Sequence, residues 1–141
     1  MRQLIWSPQR VINSLMSNFV HLHLHTSYSL QDSSIRHDAL IKRALEFDMP
    51  AVAMTDHGNM FGTVEFYNTA KKHNIKPIIG CDFWVQSEEL GDELSRIVVL
   101  STDNVGYKNL TELISKAYMR GHLQNKAVID KQWLIEYKEG L

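Results

Sequence analysis

Short apolar runs alternate with longer stretches of helical periodicity along this chain, and this alternation constrains its fold more than any other feature. Residues 51–54 and 97–100 are continuous apolar runs, which are typical of strands covered on both faces. Apolar residues recur at helical spacing in segments such as 107–118. This order of elements predicts βαβ units that pack helices against a sheet of parallel strands.

Two helices are predicted in the first half of the chain. The first begins after Ser34, whose side chain can cap it, and ends before Pro50. Its predicted inward stripe consists of Ala39, Leu40, Ala44 and Leu45. The second spans residues 63–73 and precedes Asn74, a residue suited to the left-handed position after a helix. Its predicted inward residues are Val64, Tyr67 and Ala70.

Composition excludes some classes of function. Lysine and arginine number 15 against 16 aspartates and glutamates, so the net charge of −1 does not favour strong unaided binding to nucleic acid or to an anionic membrane. No segment approaches the ~18 apolar residues of a membrane span. The single cysteine, Cys81, suits a reducing compartment and a core position. We therefore expect a soluble, cytoplasmic protein without a membrane partner.

A row of histidines marks the first predicted strand, residues 19–25. The histidines stand at alternate positions: His21, His23 and His25. In a regular strand they would share one face, where imidazoles either bind a metal ion or form an exposed polar surface. His57 follows the next apolar run in the turn 55–58, and this second site for an imidazole favours the metal interpretation.

Ligands of α/β sheets gather at the carboxyl ends of the strands, and a carboxylate, Asp82, stands in the third predicted strand. Histidine and carboxylate donors without a thiolate suit Zn²⁺, Mn²⁺ or Fe²⁺ in a hydrolytic site, and such ions promote attack on phosphate esters. Asp56 is predicted either to orient a ligand or to cap its own turn. Trp84 is expected to be a packing residue. The remaining histidines are expected on the surface: His37, His73 and His122.

The length of the chain leaves the architecture open between two forms. Each β/α unit takes roughly 30 residues, so 141 residues supply about four units, whereas a closed barrel needs about 250 residues. The chain is therefore predicted to form either a smaller open sheet or the front part of a larger barrel.

The strings His23-Leu24-His25-Thr26 and Thr55-Asp56-His57-Gly58-Asn59 resemble the PHP (polymerase and histidinol phosphatase) superfamily. Four further segments resemble the amino-terminal PHP domain of bacterial DNA polymerase III alpha subunits: 61–67, 75–80, 106–110 and 114–118. The resemblance implies a partial PHP domain over residues 18–141. Residues 1–17 are expected to be a flexible amino-terminal extension.

The resemblance implies a fold class and a set of metal ligands. The fold would be α/β, the incomplete front part of a PHP-type (β/α)₇ barrel with parallel strands and a trinuclear metal site at their carboxyl ends. The implied ligands are His23, His25, Asp32, His57 and Asp82. Asp82 is one methylene shorter than the glutamate of metal-bearing relatives. Arg96 stands where they often have histidine, and a guanidinium cannot be a ligand because it offers no lone pair.

The resemblance also implies a function in DNA replication. The full-length protein would be a DNA-directed DNA polymerase, a nucleotidyltransferase that uses Mg²⁺ and binds DNA through a remainder of the chain that carries the polymerizing aspartates. This domain would be a scaffold and the docking site for the proofreading exonuclease subunit, among other replicase subunits. Its own site would either hold metal and support 3′–5′ exonuclease activity or be degenerate. The alternative is an independent metal-dependent phosphoesterase acting on a small phosphorylated substrate.

Overall fold

The structure is a computed structural model that describes residues 19–88, 91, 93–123 and 126–141. The predicted extension 1–17 lies outside the described residues. The helices and strands follow one another as α1 (His37–Glu46), β1 (Ala51–Met54), α2 (Thr63–Lys72), β2 (Lys76–Gln86), β3 (Ser95–Leu100), α3 (Asn104–Arg120), β4 (His122–Leu123), β5 (Lys126–Asp130) and α4 (Lys131–Glu136).

Strand β2 is the centre of the sheet. Its first half pairs in parallel with β1, from Ala51 opposite Lys76 to Met54 opposite Ile79. Its last residues pair in parallel with β5, and its middle pairs antiparallel with β3. The predicted α/β fold with parallel strands is thus confirmed, and the described strands form an open sheet. The sequence predicted a buried strand over 97–100, and β3 lies there. Its antiparallel pairing was not predicted, and its first half is largely exposed.

Two apolar clusters support the sheet. The first joins α1, β1 and α2, and its buried members are Leu40, Ile41, Ala44, Val52, Met54, Phe66, Ala70 and Ile75. The second joins β2, β3, α3 and β5, and its buried members are Cys81, Phe83, Val85, Val99, Leu110, Leu113, Ala117 and Ile129. Because all four residues of β1 are buried, its carboxyl end and the turn that follows are held firmly beside β2.

The structure corrects the predicted faces of two helices. The residue at the N-cap of α1 is Arg36 rather than Ser34, and the buried residues of α1 are His37, Leu40, Ile41 and Ala44. In α2 the buried residues are Thr63, Phe66 and Ala70, whereas Val64 is 69% exposed. Each helix carries apolar side chains on two sides, so periodicity alone does not decide which side faces the sheet.

The segment that carries the first histidines runs beside β1 without forming a regular strand in the described structure. Ala53 N–H donates to the His21 carbonyl and Thr55 N–H donates to the Leu24 carbonyl, both at 2.9 Å. The histidine segment therefore takes three residue steps, from His21 to Leu24, where the facing chain takes two, from Ala53 to Thr55. The extra residue interrupts the hydrogen-bond ladder as a β-bulge does. The prediction of a regular strand over 19–25 was therefore wrong, although the segment lies where that strand was expected.

Candidate functional site

Two imidazoles converge on one carboxylate at the carboxyl end of β1. His23 Nε2 and His25 Nε2 each lie 3.0 Å from Asp82 Oδ2. The donor atoms of the three residues lie within 4.8 Å of one another. Asp82 is fully buried, and it is placed beside the turn after β1 because Gly58 N–H donates to its carbonyl at 2.8 Å.

Arg96 reaches the same carboxylate from β3. In the antiparallel register Arg96 stands opposite Trp84, and Asp82 lies two residues before Trp84, so the three side chains share one face of the sheet. The Arg96 Nη2 group contacts Asp82 Oδ2, and its Nε group lies 3.3 Å from Oδ1. The guanidinium thus adds a cation to the oxygen that both imidazoles face.

These contacts set the charges of the site. Burial opposes the ionisation of Asp82, but hydrogen bonds from Arg96, His23 and His25 outweigh burial and hold the pKa of this carboxyl below its usual range. Burial, followed by the nearby Arg96 charge, lowers the pKa of His57. We therefore assign Asp82 as a carboxylate and His57 as a neutral imidazole near pH 7.

The other predicted ligands lie around this group but outside it. Asp32 Oδ2 is 3.5 Å from His25 Nδ1, and its side chain is 45% exposed. The His57 ring lies 6.4 Å from the His25 ring, and its Nδ1 is 3.4 Å from Arg96 Nη2. His21 packs against the ring of Phe19 instead.

The donor set can be tested against the metal that the resemblance implies. Two imidazole nitrogens and one carboxylate oxygen suit a single Zn²⁺, Mn²⁺ or Fe²⁺ ion. However, the Arg96 guanidinium already contacts the carboxylate oxygen that such an ion would need. The three donor atoms therefore match the types that one such ion prefers. However, the Arg96 guanidinium already neutralises the carboxylate charge that the ion would neutralise.

Trp84 forms one wall of the site, which was not expected. Trp84 contacts the His57 ring edge-on at 5.8 Å, the Arg96 guanidinium at 5.3 Å and Lys126 Nζ at 3.8 Å. A cavity of about 300 Å³ lies beside it, and Tyr118 is among the residues that line this cavity. The two-residue spacing from Asp82 would have placed Trp84 on the site face, but the contribution of Lys126 depends on the pairing of β5 with β2.

His37 was expected on the surface, and this prediction was wrong. It is 3% exposed, stacked on Tyr28 at 5.5 Å and edge-on to Phe66 at 5.8 Å. Its Nδ1 lies 3.4 Å from Glu65 Oε2. His37 therefore supports the loop that begins after the first histidines, and it does so through a ring contact that helical periodicity does not reveal.

Within the described ranges, no helix is both long enough and apolar enough to cross a membrane.

Comparisons with known proteins identify the family of the chain. The PHP domain family matches residues 21–141. The chain is 53% identical over 123 residues to the DNA polymerase III subunit alpha of Vibrio cholerae, and 50% identical over 123 residues to that of Escherichia coli K12. Each match covers 87% of this chain and 11% of the relative, so the chain spans about a ninth of the length of these relatives.

A solved structure shares the fold. A Bifidobacterium adolescentis protein described as a metal-dependent phosphoesterase superposes with a TM-score of 0.55 and 17% identity, over 70% of this chain and 32% of that one. At this identity the likeness concerns the fold alone. Because the family match covers most of the chain, we conclude that this chain belongs to the PHP domain family.

Proposed function

We propose that this chain is the PHP domain of a bacterial DNA polymerase III alpha subunit, that it works in the cytoplasm as a scaffold within the replicase, and that its own metal site is degenerate. Identity of 53% over 87% of the chain supports the polymerase assignment. It extends well beyond the histidine motifs, which an independent phosphoesterase of this family would share.

The contact between Arg96 and Asp82 supports the degenerate site. A cation held on Asp82 Oδ2 repels a divalent ion, and an ion that displaced it would leave a guanidinium beside the metal. Nor does Asp32 or His57 join the group of three close donors. A degenerate site of this kind would not activate water for hydrolysis, so its residues would have a structural role.

The alternative is an independent metal-dependent phosphoesterase, and the donor group His23, His25 and Asp82 favours it. Metal content separates the two proposals. Three chains are incubated with Zn²⁺ and desalted, and their metal content is measured by mass spectrometry. They are the wild type, Arg96→His and a His23→Ala, His25→Ala double variant. We expect well below one ion per wild-type chain, more in Arg96→His and none in the double variant.

About one ion per wild-type chain, lost in the double variant, would overturn the degenerate site and make nuclease assays with a phosphodiester the next step. The polymerase assignment is tested separately by the DNA after codon 141. An open frame that continues for many hundreds of codons supports a polymerase subunit, and a stop codon directly after codon 141 contradicts it.

We also propose that this domain docks the proofreading exonuclease subunit. The resemblance to polymerase III alpha subunits supports this, and the described surface exposes large apolar side chains, including Phe61 at 76% and Val64 at 69%. Size-exclusion chromatography of the purified chain with the purified exonuclease subunit should show co-elution. Separate elution at micromolar concentrations would remove the docking role and leave the family assignment intact.

A further inference from the structure

Asp56 is a fully buried carboxylate that touches three parts of the site. Its Oδ1 accepts hydrogen bonds from Thr26 N–H at 2.6 Å and from the Ser29 hydroxyl at 2.7 Å. Its Oδ2 accepts the Thr26 hydroxyl at 2.7 Å, and its backbone carbonyl accepts Asp82 N–H at 3.1 Å. The loop after the first histidines, the turn after β1 and strand β2 thus all meet at Asp56.

These hydrogen bonds are needed because the carboxylate is buried. Amide and hydroxyl donors satisfy both of its oxygens, and burying such a group is costly unless every one of these donors stays in place. The network continues beyond Asp56, since the Ser29 hydroxyl also accepts His57 N–H at 2.9 Å. Thr26 directly follows His25 in the chain. A displacement of Asp56 would therefore move both imidazoles.

We propose that Asp56 is a positioning residue that fixes the spacing of the His25 and His57 rings, now 6.4 Å apart. The Asp56 side chain bonds to Thr26 and Ser29 in the loop rather than to its own turn. This decides between the two roles predicted from the sequence, orienting a ligand and capping the turn, in favour of the first. The order it imposes needs no ion in the site, and it holds whether the domain is a scaffold or a phosphoesterase.

A pair of variants at Thr26 tests this role in the full 141-residue chain. Thr26→Val keeps the shape of the side chain but loses the hydroxyl that Asp56 accepts, and Thr26→Ser keeps the hydroxyl but loses the methyl group. NMR spectra of labelled histidine rings are recorded at one fixed pH. We expect Thr26→Val to shift the His25 and His57 signals and to speed amide exchange at His57 by about tenfold. Thr26→Ser should leave both unchanged.

Shifts in both variants, in neither, or in Thr26→Ser alone would overturn the proposal, because packing of the methyl group or nothing at all would then set the ring positions. Asp56→Asn supplies a second test against Asp103→Asn. Asp103 also accepts two backbone amides, at 2.8 and 2.9 Å, but at the start of α3. Asp56→Asn should move the histidine signals, whereas Asp103→Asn should lower the melting temperature and leave them in place. Unmoved signals in a folded Asp56→Asn variant would also overturn the proposal.

Discussion

Arg96 and Asp82 meet across strands β2 and β3, with a guanidinium against a fully buried carboxylate. The two residues are diagonal neighbours in the antiparallel register, in which Asp82 stands opposite Val98 and Arg96 opposite Trp84. One side chain from the edge strand thereby supplies the positive charge that a buried carboxylate needs. In this domain the edge strand β3 takes part in the site as well as in the sheet.

Loss of this cation should cost stability. In Arg96→Gln, Asp82 keeps its two imidazole neighbours but loses its permanent positive partner, which leaves a buried charge poorly compensated. Because Arg96 is 40% exposed, we expect a loss of about 1–3 kcal/mol in the free energy of unfolding, below the range for fully buried pairs. Urea denaturation at pH 7 measures it.

Arg43→Gln is the matched control, since Arg43 pairs with Glu46 at 2.6 Å on the surface of α1. An exposed pair of this kind contributes about 0–1 kcal/mol. Similar losses in the two variants would mean that Asp82 does not depend on Arg96.

Cys81 gives a prediction about pH. Its thiol is fully buried, and burial raises its pKa. Above about pH 8.5 the unfolded chain releases this proton while the folded chain retains it, so stability should fall as the pH rises through the alkaline range. Cys81→Ala should remove that part of the slope between pH 8 and 10. Thiol reagents should label the native wild-type chain at pH 8 only after urea is added, and rapid labelling without urea would contradict the burial.

Much of the fold could be predicted from the sequence because local patterns decide it. The run 51–54 forms the buried strand β1, and Asn74 adopts a φ of 57° after α2. The inward face of α2 was predicted only in part. Ala70 is buried as expected, but Val64 and Tyr67 match helical spacing as well as Phe66 does. Packing against the sheet buries Phe66 and leaves Val64 and Tyr67 exposed.

The site, like the fold, could be predicted from the sequence only in part. The sequence and its family resemblance predicted five donors, of which the structure brings His23, His25 and Asp82 close together. Arg96 was excluded as a ligand, but its contact with Asp82 depends on an antiparallel register that the sequence did not reveal. Whether these donors hold metal stays a prediction. The buried bonds of Asp56 are likewise tertiary, since its partners are 27 and 30 residues away.

Gly106 is predicted to be intolerant of any side chain. A Cβ atom at this position, in the first turn of α3, would lie 1.8 Å from the Gly140 carbonyl oxygen. That oxygen accepts hydrogen bonds from Thr102 N–H at 2.8 Å and from the Thr102 hydroxyl at 3.0 Å, so it cannot move freely. Gly106→Ala should lower the melting temperature through a loss of about 1–3 kcal/mol, despite the better helix propensity of alanine.

Val105→Ala, at the 44% exposed neighbouring position, is the control for Gly106→Ala and should change stability by no more than about 0.5 kcal/mol. If Gly106→Ala had the same melting temperature as Val105→Ala, residues 138–141 would not pack on α3 in solution.

Asn74 should tolerate glycine better than alanine. Its φ of 57° lies in the left-handed region, which costs a residue with an ordinary side chain about 1 kcal/mol and glycine almost nothing. Asn74→Ala should therefore lose about 1 kcal/mol in urea denaturation, while Asn74→Gly stays close to the wild type. Asn68→Ala, on the exposed side of α2, is the control and should be neutral or slightly stabilising because alanine favours the helix. If Asn74→Ala were as stable as Asn74→Gly, the helix would end in a different backbone conformation, and the path from α2 into β2 would need revision.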